Sequence, residues 1–399
     1  MNQQSISSYV GLIQSLLVCP NGNENQILQA NQNSIDYKLV QVMKQIAKMN
    51  DKIGDLNAQW LQNLATMLET NLEYASQTVD REIYRNLLMQ ILQLISENEA
   101  NPEAAYFVLE YNQDKLDQNF VTVLQTWPGE NLQKKEPQLA QNIALDIVNF
   151  SNLILHFPFG NQSNNVEIAI AGYKNALQVL PRQLFPITWA TIQNNLGTSY
   201  HKRSVGNSEE NIELAIACYY QALQVRTHSA LPEAWASTNN NLGNAYQQRS
   251  MGKRIENLEN AIHCYQKALK VRTLEKLPQE WASIQNNLGS AYHDRIAGEQ
   301  QENIELAIAC YNLALKVRTR EQFPIDWATT QNNLGNAYLE RITGDRQDNL
   351  EEAIACFVRA QKVYTQESYP FYWEIISHNL AMVYDEQNLR KVGYSTINN

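Results

Sequence analysis

The sequence is short of the residues that break and bend chains, with only 15 glycines and 11 prolines among 399 residues. That scarcity excludes a collagenous or loop-rich architecture and suits helices joined by short connections. Positive charge is in deficit too. Thirty-one Lys and Arg stand against 41 Asp and Glu, a formal charge of -10. With no basic block anywhere, the clustered positive field that general nucleic-acid binding needs is missing. No run of 18 apolar residues occurs, so no membrane span is expected. Gly11 to Cys19 faintly suggests a secretory or lipid-accepting leader. It has no Lys or Arg ahead of it, Gln14 and Ser15 interrupt it, and Val18 is too large for a cleavage site. The cytoplasm is the default compartment.

Patterns that carry chemistry are equally scarce. The six histidines, His156, His201, His228, His263, His293 and His378, show no metal-ligand spacing with Cys, Asp or Glu. There is no phosphate loop, dinucleotide fingerprint or nucleophile elbow. His263 directly precedes Cys264; on a helix their side chains diverge by about 100° and cannot form a nucleophile-base pair. No catalytic residue, metal or cofactor is assigned, and an enzyme is not expected. Four of the five cysteines, Cys218, Cys264, Cys310 and Cys356, are 46 residues apart. Stacked repeats hold equivalent positions roughly 10 Å or more apart, beyond disulfide reach, so these residues read as small buried hydrophobes.

What the chain does hold is a repeat. Tryptophans fall at 189, 235, 281, 327 and 373 and prolines at 186, 232, 278, 324 and 370, always 46 apart, and text such as WASIQNNLGSAYHDR recurs around each Trp. Fixed-period identity of this kind is the signature of a solenoid whose units bury their apolar faces against their neighbours. Each unit reads as two helices. Pro186 and its copies suit a first helical turn; Gly206, Gly252, Gly298 and Gly344 suit a left-handed cap at the end of that helix. The second helix should begin near Glu210-Asn211 and its copies, with Asn and acidic groups serving its exposed N-H groups, and end near Val225-Arg226-Thr227.

At 100° per residue the first helix shows three faces. Trp189, Ile192, Leu196 and Tyr200 form an inter-repeat core, and Ala190 and Gly197 a small strip where the partner helix can come close. The opposite face carries Thr191, Asn194, Thr198 and His201. Its copies are Ser237, Asn240, Asn244 and Gln247, then Ser283, Asn286, Ser290 and His293, then Thr329, Asn332, Asn336 and Leu339, and finally Ile375, His378, Met382 and Asp385.

Leu196-Gly197-x-x-Tyr200, followed by Ala215-x-x-x-Tyr219 and Ala222, resembles the tetratricopeptide repeat, although the period is 46 rather than that family's usual 34. The resemblance implies an all-α, right-handed helical solenoid. It also implies a concave groove that receives a peptide or protein segment on the Thr191-Asn194-Thr198-His201 face. In that groove the column Asn194, Asn240, Asn286 and Asn332 could pair with a partner's backbone through donor and acceptor alike. A solvating or helix-tying role is the alternative for these amides, more so for Asn195, Asn241, Asn287 and Asn333, which point toward the seam between units. Lys202, Gln248, Asp294, Glu340 and Glu386 run from positive to negative beside the groove, a gradient that could set ligand polarity. Arg203, Arg249, Arg295 and Arg341 are expected to cap helices or pair with acidic residues of neighbouring loops.

The domain reading is a helical leader over 1–135, a degenerate unit over 136–185, the array over 186–387 and a tail over 388–399. In the degenerate unit Gly160, Asn165, Ala169, Tyr173 and Ala176 keep register, while Ile143, Phe150 and Phe157 replace the Trp, Leu and Arg copies. The leader and array also resemble those of cyanobacterial tetratricopeptide proteins that continue into a caspase-like CHAT protease domain. That resemblance implies a possible CHAT-type protease partner acting in trans and a chain that could be a piece of a longer protein. The last unit has only its first helix, so self-association through this open end is a further expectation.

Overall fold

The computed structural model describes residues 3–19, 24–31, 35–51, 57–98, 105–132 and 135–397. Among these, helices dominate and no strand occurs. The chain divides into two compact units, Met1–Gln90 and Ile91–Asn399, a boundary well before the end of the leader read from the sequence. In the first unit lie α1 (Gln3–Val18), α2 (Glu24–Ala30), α3 (Tyr37–Asp51) and most of α4 (Asn57–Glu97). Their core is built on Ile13, Leu16, Leu39, Met43 and Leu61, with Trp60 and Tyr9 packed at its edge.

The second unit is a tetratricopeptide-like solenoid. It continues with α5 (Tyr106–Tyr111) and α6 (Gln118–Asn131), then the pairs α7 (Pro137–His156) and α8 (Gln162–Val179), α9 (Pro186–Lys202) and α10 (Ser208–Leu223), α11 (Pro232–Gln248) and α12 (Arg254–Leu269), α13 (Pro278–His293) and α14 (Gln300–Ala314), α15 (Pro324–Glu340) and α16 (Arg346–Gln361), closing with α17 (Pro370–Ile397). The α7–α8 pair is as closely packed as the later ones, so the degenerate wording still folds as a full pair. On its outer side α6 packs against α8, and Phe120 meets Phe150 with ring centroids 5.8 Å apart. The last helix runs on through Ile397, into the stretch read as a tail.

Close approach within a pair depends on glycine. The second-helix tyrosines Tyr219, Tyr265 and Tyr311 and the equivalent Phe357 are almost wholly buried. Each lies flat over Gly197, Gly243, Gly289 or Gly335, where a Cβ would stand 2.7 Å from the ring. The same strip carries Ala190, Ala236, Ala282 and Ala328, all fully buried. In α17 the equivalent positions are Glu374 and Ala381, both exposed.

The glycines at 206, 252, 298 and 344 have φ between 76° and 82°, as left-handed residues must. They do not cap the first helix, which in the first of these units ends at Lys202, four residues before Gly206, with Arg203 as its cap. They shape the turn that leads into the second helix. Nor do Asn211 and its copies cap that helix. Asn207 and Asp345 accept from the first free N-H groups of α10 and α16, whereas Lys253 and Glu299 give α12 and α14 no side-chain cap. Asn211, Asn257, Asn303 and Asn349 are instead buried and clasp the turn. Asn257 Nδ2 donates to Met251 O at 2.8 Å and Arg249 O at 3.1 Å, and its Oδ1 accepts from Arg249 Nη1 at 3.2 Å.

The arginine column ties unit to unit, and its acidic partners sit on helices rather than loops. Arg203, Arg249, Arg295 and Arg341 pair with Glu167, Glu213, Glu259 and Glu305 on the second helix of the preceding unit. Each pair is two-pronged, with Nε contacts of 2.5 to 2.7 Å and Nη2 contacts of 2.9 to 3.1 Å. Such fork geometry fixes orientation as well as contributing energy.

Candidate functional site

Successive first helices, α7 through α17, touch one another, and each second helix packs against the first helix of the next unit. The first helices therefore form the inner, more tightly spaced layer. Its surface carries a groove of about 610 Å³ across α9, α11 and α13. Five of the expected site residues share it: Asn194, Thr198, Ser237, Asn240 and Ser283. Arg272, Glu280, Arg318 and Asp326 complete its charged lining.

The asparagine column is not uniform. Asn194 and Asn286 are each only 7% exposed, not free on the surface, because a threonine of the next unit reaches them. Thr238 Oγ1 donates to Asn194 Oδ1 at 2.9 Å and Thr330 Oγ1 to Asn286 Oδ1 at 3.0 Å. The residue that follows Asn240 in this sense is Ile284, and after Asn332 it is Ile376; neither can donate. Asn240 Oδ1 and Asn332 Oδ1 are accordingly buried with no hydrogen-bond partner. A Thr/Ile alternation three residues after each Trp thus leaves an open acceptor in every second unit.

Most of the remaining expected residues are held by structural bonds. Thr191, Ser237 and Ser283 accept from Arg226, Arg272 and Arg318, and Thr329 bonds the Tyr364 hydroxyl at 2.6 Å. Thr198, Asn244 and Ser290 accept from the hydroxyls of Tyr219, Tyr265 and Tyr311. Asn336 accepts from Asn379 Nδ2 at 2.9 Å. His201 Nε2 lies 2.8 Å from Gln248 Oε1, and Gln247 accepts from Tyr265. His293 sits 3.6 Å from Asp294 and 3.4 Å from Glu340; the Asp294 carboxylate, with help from Glu340, raises its pKa despite burial, and its Nε2 is buried without a hydrogen-bond partner. As expected of the seam amides, Asn195 donates to Asn152 and Asn287 to Asn244 across units.

The charge gradient is blunted at its acidic end. Arg254 reaches Asp294 at 3.3 Å and Arg346 holds Glu386 through two bonds of 2.8 and 2.6 Å. The Arg226, Arg272 and Arg318 column, spaced by 46, has no role in the sequence reading beyond marking a helix end, and the second helices stop before it, at Leu223, Leu269 and Ala314. Each guanidinium spans from its own unit's first helix toward the next, which periodicity alone does not reveal.

Among the described residues no cluster of His, Cys, Asp or Glu is placed to hold a metal, and no helix is long and apolar enough to cross a membrane. Burial pushes the thiols of Cys218 and Cys264 up to about 11 and those of Cys310 and Cys356 up to about 12. The nucleophilic thiolate is therefore scarce at neutral pH. In the native protein these four should resist a disulfide reagent at pH 8, and urea should release all of them; the colorimetric thiol count checks this. Because folding raises their pKa, their contribution is full at neutral pH and is lost as pH climbs above about 8.5, where unfolded thiols ionise.

Four segments, 193–224, 236–270, 282–316 and 328–360, match the model of the Sel1 repeat. No curated protein matches the chain in sequence. Among solved structures, the crystal structure of BtubC (BKLC) from P. vanneervenii is similar over 73% of this chain and 90% of its own, at 18% identity and a TM-score of 0.34. Sel1 repeats are generally protein-interaction scaffolds and generally non-catalytic. The chain is a helical solenoid of the tetratricopeptide kind that carries Sel1 repeats.

Proposed function

We propose that the array is a protein-binding scaffold that takes an extended segment of a partner protein in the groove of its first-helix layer. The observation that carries this reading is the groove wall, where Asn194, Thr198, Ser237, Asn240, Asn241 and Ser283 stand together, with the amide oxygen of Asn240 buried behind it and unpartnered. A buried acceptor left unmade is costly, and the backbone N-H of an extended segment is a donor of suitable shape. Hydroxyls and amides around it suit main-chain recognition more than recognition of one side chain.

The test is an affinity pull-down with the full chain and with Asn240→Ala/Asn332→Ala. That double variant should keep its thermal midpoint, since no bond to either Oδ1 is lost, and should lose the captured partner. Asn194→Ala/Asn286→Ala should instead lower stability, because two buried threonine hydroxyls lose their cross-unit acceptors and keep only a carbonyl of their own helix. Unchanged capture by the first variant would remove the groove from consideration. A caspase-like protease, the partner class implied by the resemblance of leader and array, would be recovered in the same experiment. Self-association through α17, which exposes Phe371, Tyr372, Ile375 and Met382, would appear as a concentration-dependent mass.

A further inference from the structure

Arg226, Arg272 and Arg318 occupy one position in three successive units and make parallel bonds to hydroxyls of the first-helix layer. Arg226 donates to Thr191 and to Thr238, both at 3.0 Å; Arg318 donates to Ser283 at 3.1 Å and to Thr330 at 2.9 Å; Arg272 donates to Ser237 at 2.6 Å. Their counter-charges differ. Arg272 faces Glu280 at 3.3 Å and Arg318 faces Asp326 at 3.5 Å. At the equivalent place opposite Arg226 stands Ala234. Among the described residues, no carboxylate pairs with Arg226, although it is only 7% exposed. Burial alone pulls its guanidinium down to about 10, still charged at neutral pH.

A buried cation without a counter-charge is an expensive arrangement, and here two neighbouring units show what completes it. The side chains of Glu280 and Asp326 are 49% and 55% exposed. Carboxylates thus reach these arginines from the solvent side, over the first turn of the next unit's first helix. Ala234, in the first turn of α11, supplies no carboxylate at that place.

We propose that Arg226 is an anion seat for a carboxylate side chain of an acidic peptide segment, which takes the place that Glu280 and Asp326 occupy in the next two units. The inference rests on the groove reading, through the filled copies, Arg272 with Glu280 and Arg318 with Asp326, that line the groove, and names the chemistry of its ligand. A carboxylate is the group chosen because the two filled copies of the seat hold carboxylates. Two parallel N-H donors of a guanidinium match that group in shape.

The test uses the full chain and a fluorescein-labelled peptide of alternating Glu and Ser, with a Gln-for-Glu peptide as control, followed by fluorescence anisotropy at low salt. The Glu peptide should bind the native protein at least about tenfold more tightly than the Gln peptide, with the difference shrinking as salt rises. Ala234→Glu supplies the missing carboxylate from within. It should abolish the preference while leaving the fold intact or firmer, since an acidic group in a first turn is favourable. Ala234→Gln, of the same bulk, should keep the preference, and Arg226→Gln should lose it. Equal binding of both peptides by the native protein, or a preference that survives Ala234→Glu, would overturn the proposal. So would binding of a phosphoserine peptide in place of the Glu peptide. If the pull-down still shows a partner lost on Asn240→Ala/Asn332→Ala while the Glu preference is absent, this inference fails and the groove reading stands.

Discussion

Tyr265→Ala is expected to lower the stability of the array by about 3–5 kcal/mol, the usual cost of emptying a fully buried aromatic site. Tyr265 is 0% exposed, its ring lies over Gly243, and its hydroxyl donates to Asn244 at 2.7 Å. The same pair makes a second, sharper expectation. Gly243→Ala places a methyl group 2.7 Å from the ring, and overpacking of this kind costs about 1–3 kcal/mol. In the Tyr265→Ala background that cost should vanish, because the clash is with this ring alone. Urea unfolding followed by circular dichroism on both single variants and the double variant yields the coupling directly. Additive effects would mean that the glycine serves helix flexibility rather than ring seating.

Asn257→Ala should cost about 2–4 kcal/mol, more than a surface amide could. The side chain is 1% exposed and serves three partners at once, the carbonyls of Arg249 and Met251 and the guanidinium of Arg249. Its removal leaves the carbonyls of Arg249 and Met251 without this donor beside Gly252, at a penalty of about 1–3 kcal/mol for each to the extent that water cannot replace it. It also loosens Arg249, whose fork holds Glu213 of the preceding unit. Loss should therefore spread to the junction with α10, and amide exchange should quicken on both sides of the turn. Asn257→Asp tests the role of the donors. It retains an acceptor for Arg249 but cannot donate, and should recover little of the loss.

The helix pairs were legible in the sequence because a period of 46 is carried by residues with strong local preferences. Pro186 and its copies stand at the first position of their helices, and each Gly197-type residue meets a Tyr219-type ring, as the small strip implied. Errors came where one residue type can do two jobs. An asparagine before a helix can cap it or fasten the turn ahead of it; Asn207 does the first and Asn211 the second. A helical wheel placed Asn194 opposite the core, yet it is buried, because a wheel describes one helix and Thr238 arrives from the next.

The repeat, its two-helix unit, the small-residue strip and the absence of catalytic patterns were determined by the sequence alone, since each depends on spacing or identity within one unit. The tertiary structure decided which amides remain available and which arginine lacks a counter-charge. Both depend on residues 44 to 47 positions apart in sequence or on the third element of a contact: Thr238 on Asn194, Asn241 on Asn194, Ala234 beside Arg226. A period records that units are alike, whereas hydrogen bonding across their seams responds to the few places where they differ.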